Sequence, residues 1–179
     1  MYDLKDYIQM ISNIIICVGV IIAIWQLLLS KNSITADHER RKKQATIEFY
    51  RSICDACDEI LEQLEIQFPN DGVINYDDVK NDPVALNAIR KYLSLMEEIA
   101  VGINTEVYDI TIFDRIAGTY CTGWFRRFSE IIRIRRINNH YPNLYGDFEN
   151  MIYKLKDVKK KRFNQYEYDL AKIKHDVSK

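Results

Sequence analysis

The sequence predicts an all-α protein with one N-terminal transmembrane helix, a long stalk helix and a cytoplasmic helical bundle. Three observations carry that expectation. Glycine and proline number only 6 and 3 in 179 residues, too few for short strands joined by tight turns. An uncharged run of 22 residues extends from Ile8 to Leu29. Beyond it, apolar residues recur every three or four positions, the period of a helix. No strand-type alternation persists, and INYDDV (Ile74 to Val79) is the one short strand candidate.

Composition narrows the function classes. Charges nearly cancel, 25 Lys+Arg against 26 Asp+Glu for a formal net charge of −1. No global basic excess points to nucleic acid, and no acidic excess points to a solvating tail. About 150 residues follow Leu29, enough for one hydrophobic core without disulfide or metal staples. Cys17 lies in the apolar run, and Cys54, Cys57 and Cys121 lie in helical patterns. A reducing compartment is the simpler expectation.

The run IQMISNIIICVGVIIAIWQLLL would measure about 33 Å as a helix, against a hydrocarbon core of about 30 Å. Trp25 and Tyr7 stand near its two ends, where aromatic residues favour the interface. A cleaved signal peptide fits poorly, because MYDLKDY is not a positive leader and no small-residue cleavage site follows. A buried core helix seldom runs this long without a charge. Asp3, Lys5 and Asp6 precede the run, whereas Lys31, Arg40, Arg41, Lys42 and Lys43 follow it. Positive flanks stay inside, which predicts an external N-terminus and a cytoplasmic C-terminal domain.

One face of the run is unusual. Gln9, Ser12, Ile16, Gly19, Ala23, Gln26 and Ser30 follow one another at steps of three and four, and all but Ile16 are small or polar. Asn13 borders the same stripe. Gly19 and Ala23 form a small-xxx-small pair that lets helix backbones approach in lipid. Amides facing hydrocarbon are costly without partners. The stripe is therefore the candidate oligomer or pore face. The alternative is a monomeric anchor whose end amides reach the interfaces.

The domains expected are a short tail and span over 1–30, a juxtamembrane stalk over 31–68, and a bundle over 69–179 with 45–68 packing into it. The stalk shows an apolar stripe at Ile47, Tyr50, Ile53 or Cys54, Cys57, Ile60 or Leu61, and Leu64. Asn32-Ser33 is the only weak punctuation between span and stalk. Pro69 to Gly72 breaks the chain. A second helix begins at Asp82-Pro83, an N-cap followed by proline at the first helical position, and runs through Leu86, Ile89, Leu93, Met96, Ile99 and Ile103 to Gly102–Thr105. A third starts with a capping-box-like Thr111-x-x-Asp114 and continues through Phe113, Tyr120, Trp124, Phe128 and Ile131 to Asn138. A fourth covers about Tyr145 to Lys161, and the polar tail from Arg162 either extends it or frays.

Chemistry is sparse. His38, His140 and His175 do not share metal-ligand spacing. Phosphate-binding glycine loops and nucleophile motifs are missing. Glu97 and Glu98 are adjacent, so they point in different directions on a helix. Neither an enzyme nor a cofactor or metal site is expected. Cys54-Asp-Ala-Cys57 has a zinc-like spacing but lacks a second ligand pair, and it falls on the apolar stripe as small buried hydrophobes do. Arg126, Arg127, Arg133, Arg135 and Arg136 concentrate positive charge on the third helix, and KDVKKKR (Lys156 to Arg162) adds more on the fourth. Arginine suits bidentate phosphate contacts, and Tyr141 or Phe125 could stack on a base. The cluster is a candidate contact for a phosphate, nucleotide or oligonucleotide ligand or a regulatory protein. Equally open are a solvated face, pairing with the acidic end of the stalk, and contact with anionic headgroups.

The block Tyr92 to Phe128, YLSLMEEIAVGINTEVYDITIFDRIAGTYCTGWFRRF, resembles the signature stretch of a bacterial family of small single-span membrane proteins with a helical domain of unknown function. Met96-Glu97-Glu98, Val101-Gly102-Ile103, Tyr108-Asp109, Ile112 to Arg115, Ala117-Gly118 and Trp124-Phe125 carry the likeness, over about a fifth of the chain. The resemblance implies a fold and topology, a place in the bacterial inner (plasma) membrane, and an association with anti-phage (antiviral) defence loci as toxic membrane effectors. Hailong-type channel effectors, restrained by a nucleotide-derived oligomer, look similar in plan, though no ligand motif matches residue by residue. Without any family, the same block reads as a structural hairpin. Gly102 ends one helix, Asp109 or Thr111 caps the next, Asp114 and Arg115 pair locally or across helices, and Gly118 packs closely beside Trp124.

Function is expected to be that of a membrane-anchored homo-oligomeric effector, a channel or membrane disruptor gated by a partner or phosphate-bearing ligand. The alternative is a non-conducting tethered scaffold that recruits a cytoplasmic partner.

Overall fold

The computed structural model describes residues 4–177, with side chains described for 9, 12, 13 and 15–168. Asp3, the side chains of Lys5, Asp6, Tyr7 and Ile8, and that of His175 lie outside these. The described chain is all-helical, with no strand among its residues. It divides into two compact units, Met1–Arg41 and Lys42–Lys179.

Helix α1 runs from Leu4 to Gln67 without a break, so Asn32-Ser33 does not punctuate it. Neither residue is a strong enough breaker to end a helix already propagating on both sides. Its early part contains an 18-residue window of mean hydropathy 1.9 that is entirely unburied within the chain. That is long and apolar enough to cross a membrane. Its later part has a different character. Thr46, Ile53, Cys57, Ile60, Leu61 and Leu64 are buried at helical spacings between charged neighbours, one seam against a core. Ile47, assigned to that stripe from sequence, faces outward, and Thr46 takes the buried place one residue earlier.

In the second unit, α1 ends before a proline turn, and α2 (Tyr76–Val79) is a single helical turn. The strand expected at Ile74–Val79 is therefore a correction. Asn75 and the acidic pair Asp77-Asp78 favour a helix start, while Ile74 and Val79 are both buried. Helix α3 (Pro83–Asn104) starts where expected: Asp82 accepts from Val84 N and Ala85 N at 2.9 and 3.0 Å. Gln67 Nε2 donates to the other Asp82 oxygen at 2.7 Å, tying the end of α1 to the start of α3.

The third expected helix is several pieces. α4 (Ile110–Phe113) leads into a π-helical turn at Asp114–Gly118, then α5 (Thr119–Arg127) and α6 (Ser129–Asn138). The α5–α6 joint falls at Phe128, fully buried, its ring 5.7 Å from Tyr92 and 5.2 Å from Trp124. Asp109, not Thr111, is the N-cap of α4, which corrects the capping box: Asp114 is turned to another partner. Helix α7 spans Gly146–Val177, so the tail extends the helix. It packs most extensively on α3, through Phe148, Met151, Ile152 and Leu155.

Two glycines separate packing from propensity. A Cβ on Gly102 would lie 2.2 Å from the Tyr108 ring, whereas one on Gly123, inside α5, would meet nothing within 4 Å. Gly102→Ala should therefore destabilise the chain by about 1–3 kcal/mol through overpacking. Gly123→Ala should stabilise it by about 0.5–1 kcal/mol through helix propensity. Denaturant titration in detergent, followed by helical circular dichroism, checks the opposite signs.

Candidate functional site

The stripe of the apolar run lies wholly on α1. Gln9, Ser12, Asn13, Gly19, Ala23, Gln26 and Ser30 are all exposed within the single chain. Gln9 Nε2 donates to Asn13 Oδ1 at 3.5 Å, one weak bond between two groups that each have more donors and acceptors to satisfy. A Cβ on Gly19 would touch nothing within 4 Å, so packing within this chain gives no reason for a glycine there. Of the basic residues after the run, Arg41 pairs with Asp37 at 2.9 Å on the exposed surface.

The five arginines of α5 and α6 do not act as one cluster. Arg127 is buried. Its Nη2 donates to the carbonyls of Phe68 and of Asn70, the latter at 3.0 Å, and its guanidinium stacks 4.1 Å over the Trp124 ring. Its own carbonyl accepts from Ile74 N at 2.8 Å. Arg127 thus fastens the turn after α1. Arg126 donates to the Asp71 carbonyl of the same turn at 3.1 Å. Arg135 donates to the Tyr145 hydroxyl at 2.9 Å and lies over that ring, beneath a residue with a left-handed φ of 58°. Arg136 bonds the Leu144 carbonyl at 2.9 Å and pairs with Glu149 at 2.8 Å.

Arg133 and Arg136 share an open groove of about 630 Å³ with Phe125, Ser129, His140 and Glu149. Within this groove Glu149 pairs with Arg136, and Ile132 and Ile137 add apolar lining. An adjoining groove of about 850 Å³ is lined by Glu97, Glu98, Arg136, Tyr141, Asp147 and Glu149. No three metal-ligating side chains gather among the described residues. Cys57 is buried, and burial raises its thiol to about 11, while Cys54 is partly exposed.

The hairpin residues converge on polar ties that sequence reasoning did not find. Asp109 Oδ1 accepts from Thr111 N at 2.7 Å, Thr111 Oγ1 at 2.5 Å and Ile112 N at 3.1 Å. Its own N–H donates to buried Thr46 Oγ1 at 2.7 Å, joining the hairpin to α1. Asp114 is buried and pairs with Arg162 of α7 at 2.7 Å, whereas Arg115 is exposed. A Cβ on Gly118 would lie 2.6 Å from Asp114 Oδ1, so glycine makes room for the carboxylate. Lys159 donates to the Gly118 carbonyl at 3.0 Å. Trp124 is buried. Glu97 caps α7 from another helix, accepting from Phe148 N at 2.7 Å. Burial raises its carboxyl despite those bonds. Helix-end carboxylates that bond across some 50 residues, as Glu97 does, leave no local sequence pattern.

Burial alone would raise the Asp109 carboxyl, but hydrogen bonds from Thr111 and Ile112 outweigh it and leave it below the usual carboxylate range. A depressed folded value contributes stability above the unfolded value of about 4 and loses it as pH falls through the folded one. Asp109→Asn keeps an N-cap acceptor without the charge. The stability gap between the chain and this variant should be widest near neutrality and close as pH falls below about 4, read from melting temperatures across a pH series.

No curated protein and no solved structure matches this chain. A family model described as a domain of unknown function, DUF4760, matches residues 13–155. The match begins inside the apolar run and ends in α7, so it takes in most of that run and of the helices after it. The chain is a member of the DUF4760 family.

Proposed function

We propose that this protein is a membrane-anchored effector that works as an assembly of copies, its spans associating through the Gln9–Ser30 stripe. The carrying observation is Gly19, with Ala23 one turn on and Gln26 beyond it, all exposed on one helix face. Hydrocarbon cannot hydrogen-bond the Gln26 amide, and a small-residue pair favours close helix contact in lipid. Turned toward one another, the stripes would line a polar axis able to admit water and ions. The basic flank from Lys31 to Lys43 supports a cytoplasmic bundle and an external N-terminus, and we place both at a bacterial inner membrane. In this reading the protein acts as a toxic channel or membrane disruptor in anti-phage defence, and involves no catalytic step. The groove at Arg133, Arg136 and His140 receives the restraining partner or phosphate-bearing ligand.

A second reading, a non-conducting tether that recruits a cytoplasmic partner, is favoured by the Gln9–Asn13 bond. That contact lets the amides near one end partly satisfy each other without a second chain.

Induced expression should depolarise or arrest bacterial cells, and Gly19→Leu or Gln26→Leu should each relieve the arrest while leaving membrane abundance unchanged. In detergent the wild-type chain should run as a defined multimer by light scattering, with Gly19→Leu shifted toward monomer. Arrest that survives both substitutions would remove the channel. Activity retained when an unrelated apolar helix replaces residues 8–29 would establish the tether.

A further inference from the structure

The two cysteines of the CxxC on α1 part company in the fold. Cys54 is partly exposed, whereas Cys57 is buried and meets sulfur from two other helices. Cys121 of α5 donates its S–H to Met96 Sδ of α3 at 3.6 Å. Cys57, Met96 and Cys121 together line one cavity of about 10 Å³, and they are 3%, 2% and 2% exposed. The cavity holds about one water-sized sphere, yet thiols and thioethers are weak hydrogen-bond partners for water. Sulfurs bonded to a single ion at about 2.3 Å each stand less than about 4.6 Å apart, and the Cys121–Met96 separation meets that limit.

We infer that Cys57, Met96 and Cys121 form a binding site for one soft monovalent metal ion, with Cu(I) the cellular case. Hard cations take oxygen donors, and structural zinc takes four nitrogen, oxygen or thiolate donors. Two cysteines beside a thioether suit Cu(I) instead. Among the described residues no three of His, Cys, Asp and Glu gather, so the Met96 thioether is what completes a three-donor set.

The ion enters as Cu(I), and each thiol releases its proton to solvent as its sulfur binds, so no electron moves. Burial is the main influence opposing ionisation of both thiols, and a bound metal overcomes it by replacing the proton. Lesser influences favour the thiolates: the Tyr92 hydroxyl bonds Cys121, Lys159 lies near Cys121, and Lys91 lies near Cys57. These groups answer the single negative charge that two thiolates and one Cu(I) carry. Asp58 and Tyr120 also line the cavity. Asp58 is exposed and Tyr120 is 44% exposed, so a carboxylate stands at the mouth to attract an incoming cation. The site shares no residue with the span stripe or the Arg133 groove and can fail without affecting either.

The test uses the full chain in detergent under reducing, oxygen-free conditions, with Cys17→Ser and Cys54→Ser removing the other two thiols. Titrated with Cu(I) against the chelator bathocuproine disulfonate, this parent chain should retain one ion that excess Zn(II) does not displace. X-ray absorption at the copper edge should show sulfur neighbours at about 2.3 Å. Met96→Leu keeps the core volume and should weaken binding by roughly 10–100-fold, and Cys57→Ala or Cys121→Ala should weaken it further. Cu(I) should raise the melting temperature of the parent but not of the cysteine variants. If a cysteine variant fails to fold, Met96→Leu and the absorption spectrum still decide. No Cu(I) retained by the parent, displacement by Zn(II), unchanged affinity in Met96→Leu, or a nitrogen and oxygen shell would overturn the site.

Discussion

The heaviest constraint on this chain is that one helix carries two surfaces of opposite character. Over Ile15–Leu29, α1 has no charge and every side chain is exposed, so water would have to order itself around an entire apolar cylinder. From Thr46 onward the same helix carries a narrow apolar seam between charged faces, and that seam closes the core of the second unit. The first stretch is long and apolar enough to cross a membrane, and in lipid the rules for its polar residues would reverse. In water, Gln9, Asn13 and Gln26 would be ordinary surface groups. In hydrocarbon each unbonded amide costs free energy, which turns a compositional detail into a constraint on assembly.

Inside the second unit, the joints are held by polar groups reaching across long sequence separations. Arg127 fastens the turn after α1, Gln67 and Asp82 bind the end of α1 to the start of α3, Glu97 caps α7, and Arg162 closes over Asp114. Asp114 shows why the local backbone departs from a regular α-helix. The π-helical turn and Gly118 together place a carboxylate inside the bundle, where a cation from α7 answers it. Removing that cation would leave an uncompensated buried charge, the costly way to break such a pair. These ties explain why arginines that look like one basic cluster in sequence take separate roles. Arg126 and Arg127 serve one loop, and Arg135 and Arg136 serve another. Only Arg133 and the outer edge of Arg136 remain turned to a groove.

Much of the fold was legible because it rests on local rules. The uncharged run, the Asp82-Pro83 start of α3, the chain break at Pro69–Gly72 and the helical periodicity each need only neighbours a few residues away. Gly102 was readable as a helix end, although its specific need, room for the Tyr108 ring, was not. What escaped was set by distant partners. Thr46 looks like a surface residue beside Ile47 until Asp109 N–H is known to bond it. Ile74–Val79 alternates like a strand, but a lone short segment without a pairing edge takes the helical turn that its acidic residues favour. The arginine cluster illustrates the same limit in the candidate site. Sequence reports how many guanidinium groups lie together, whereas their availability depends on which carbonyls and rings the fold brings beneath them.

The family boundary bears on both proposed sites. Residues 13–155 include Gly19, Ala23 and Gln26, and also Cys57, Met96 and Cys121. A span contact made by the stripe would therefore fall within the stretch that the family model matches, and so would a metal held by the three sulfurs. Their physics divides the labour. Packing between small residues in lipid is short-ranged and depends on backbone proximity, so it can govern whether a polar axis opens. A metal bound only by the folded chain stabilises it by mass action, so it can govern how firmly α1, α3 and α5 hold together within the second unit. Helix α1 carries Gly19 in one unit and Cys57 in the other. The event that perturbs the membrane and the firmness of the bundle would thus be set by different interactions on one unbroken helix.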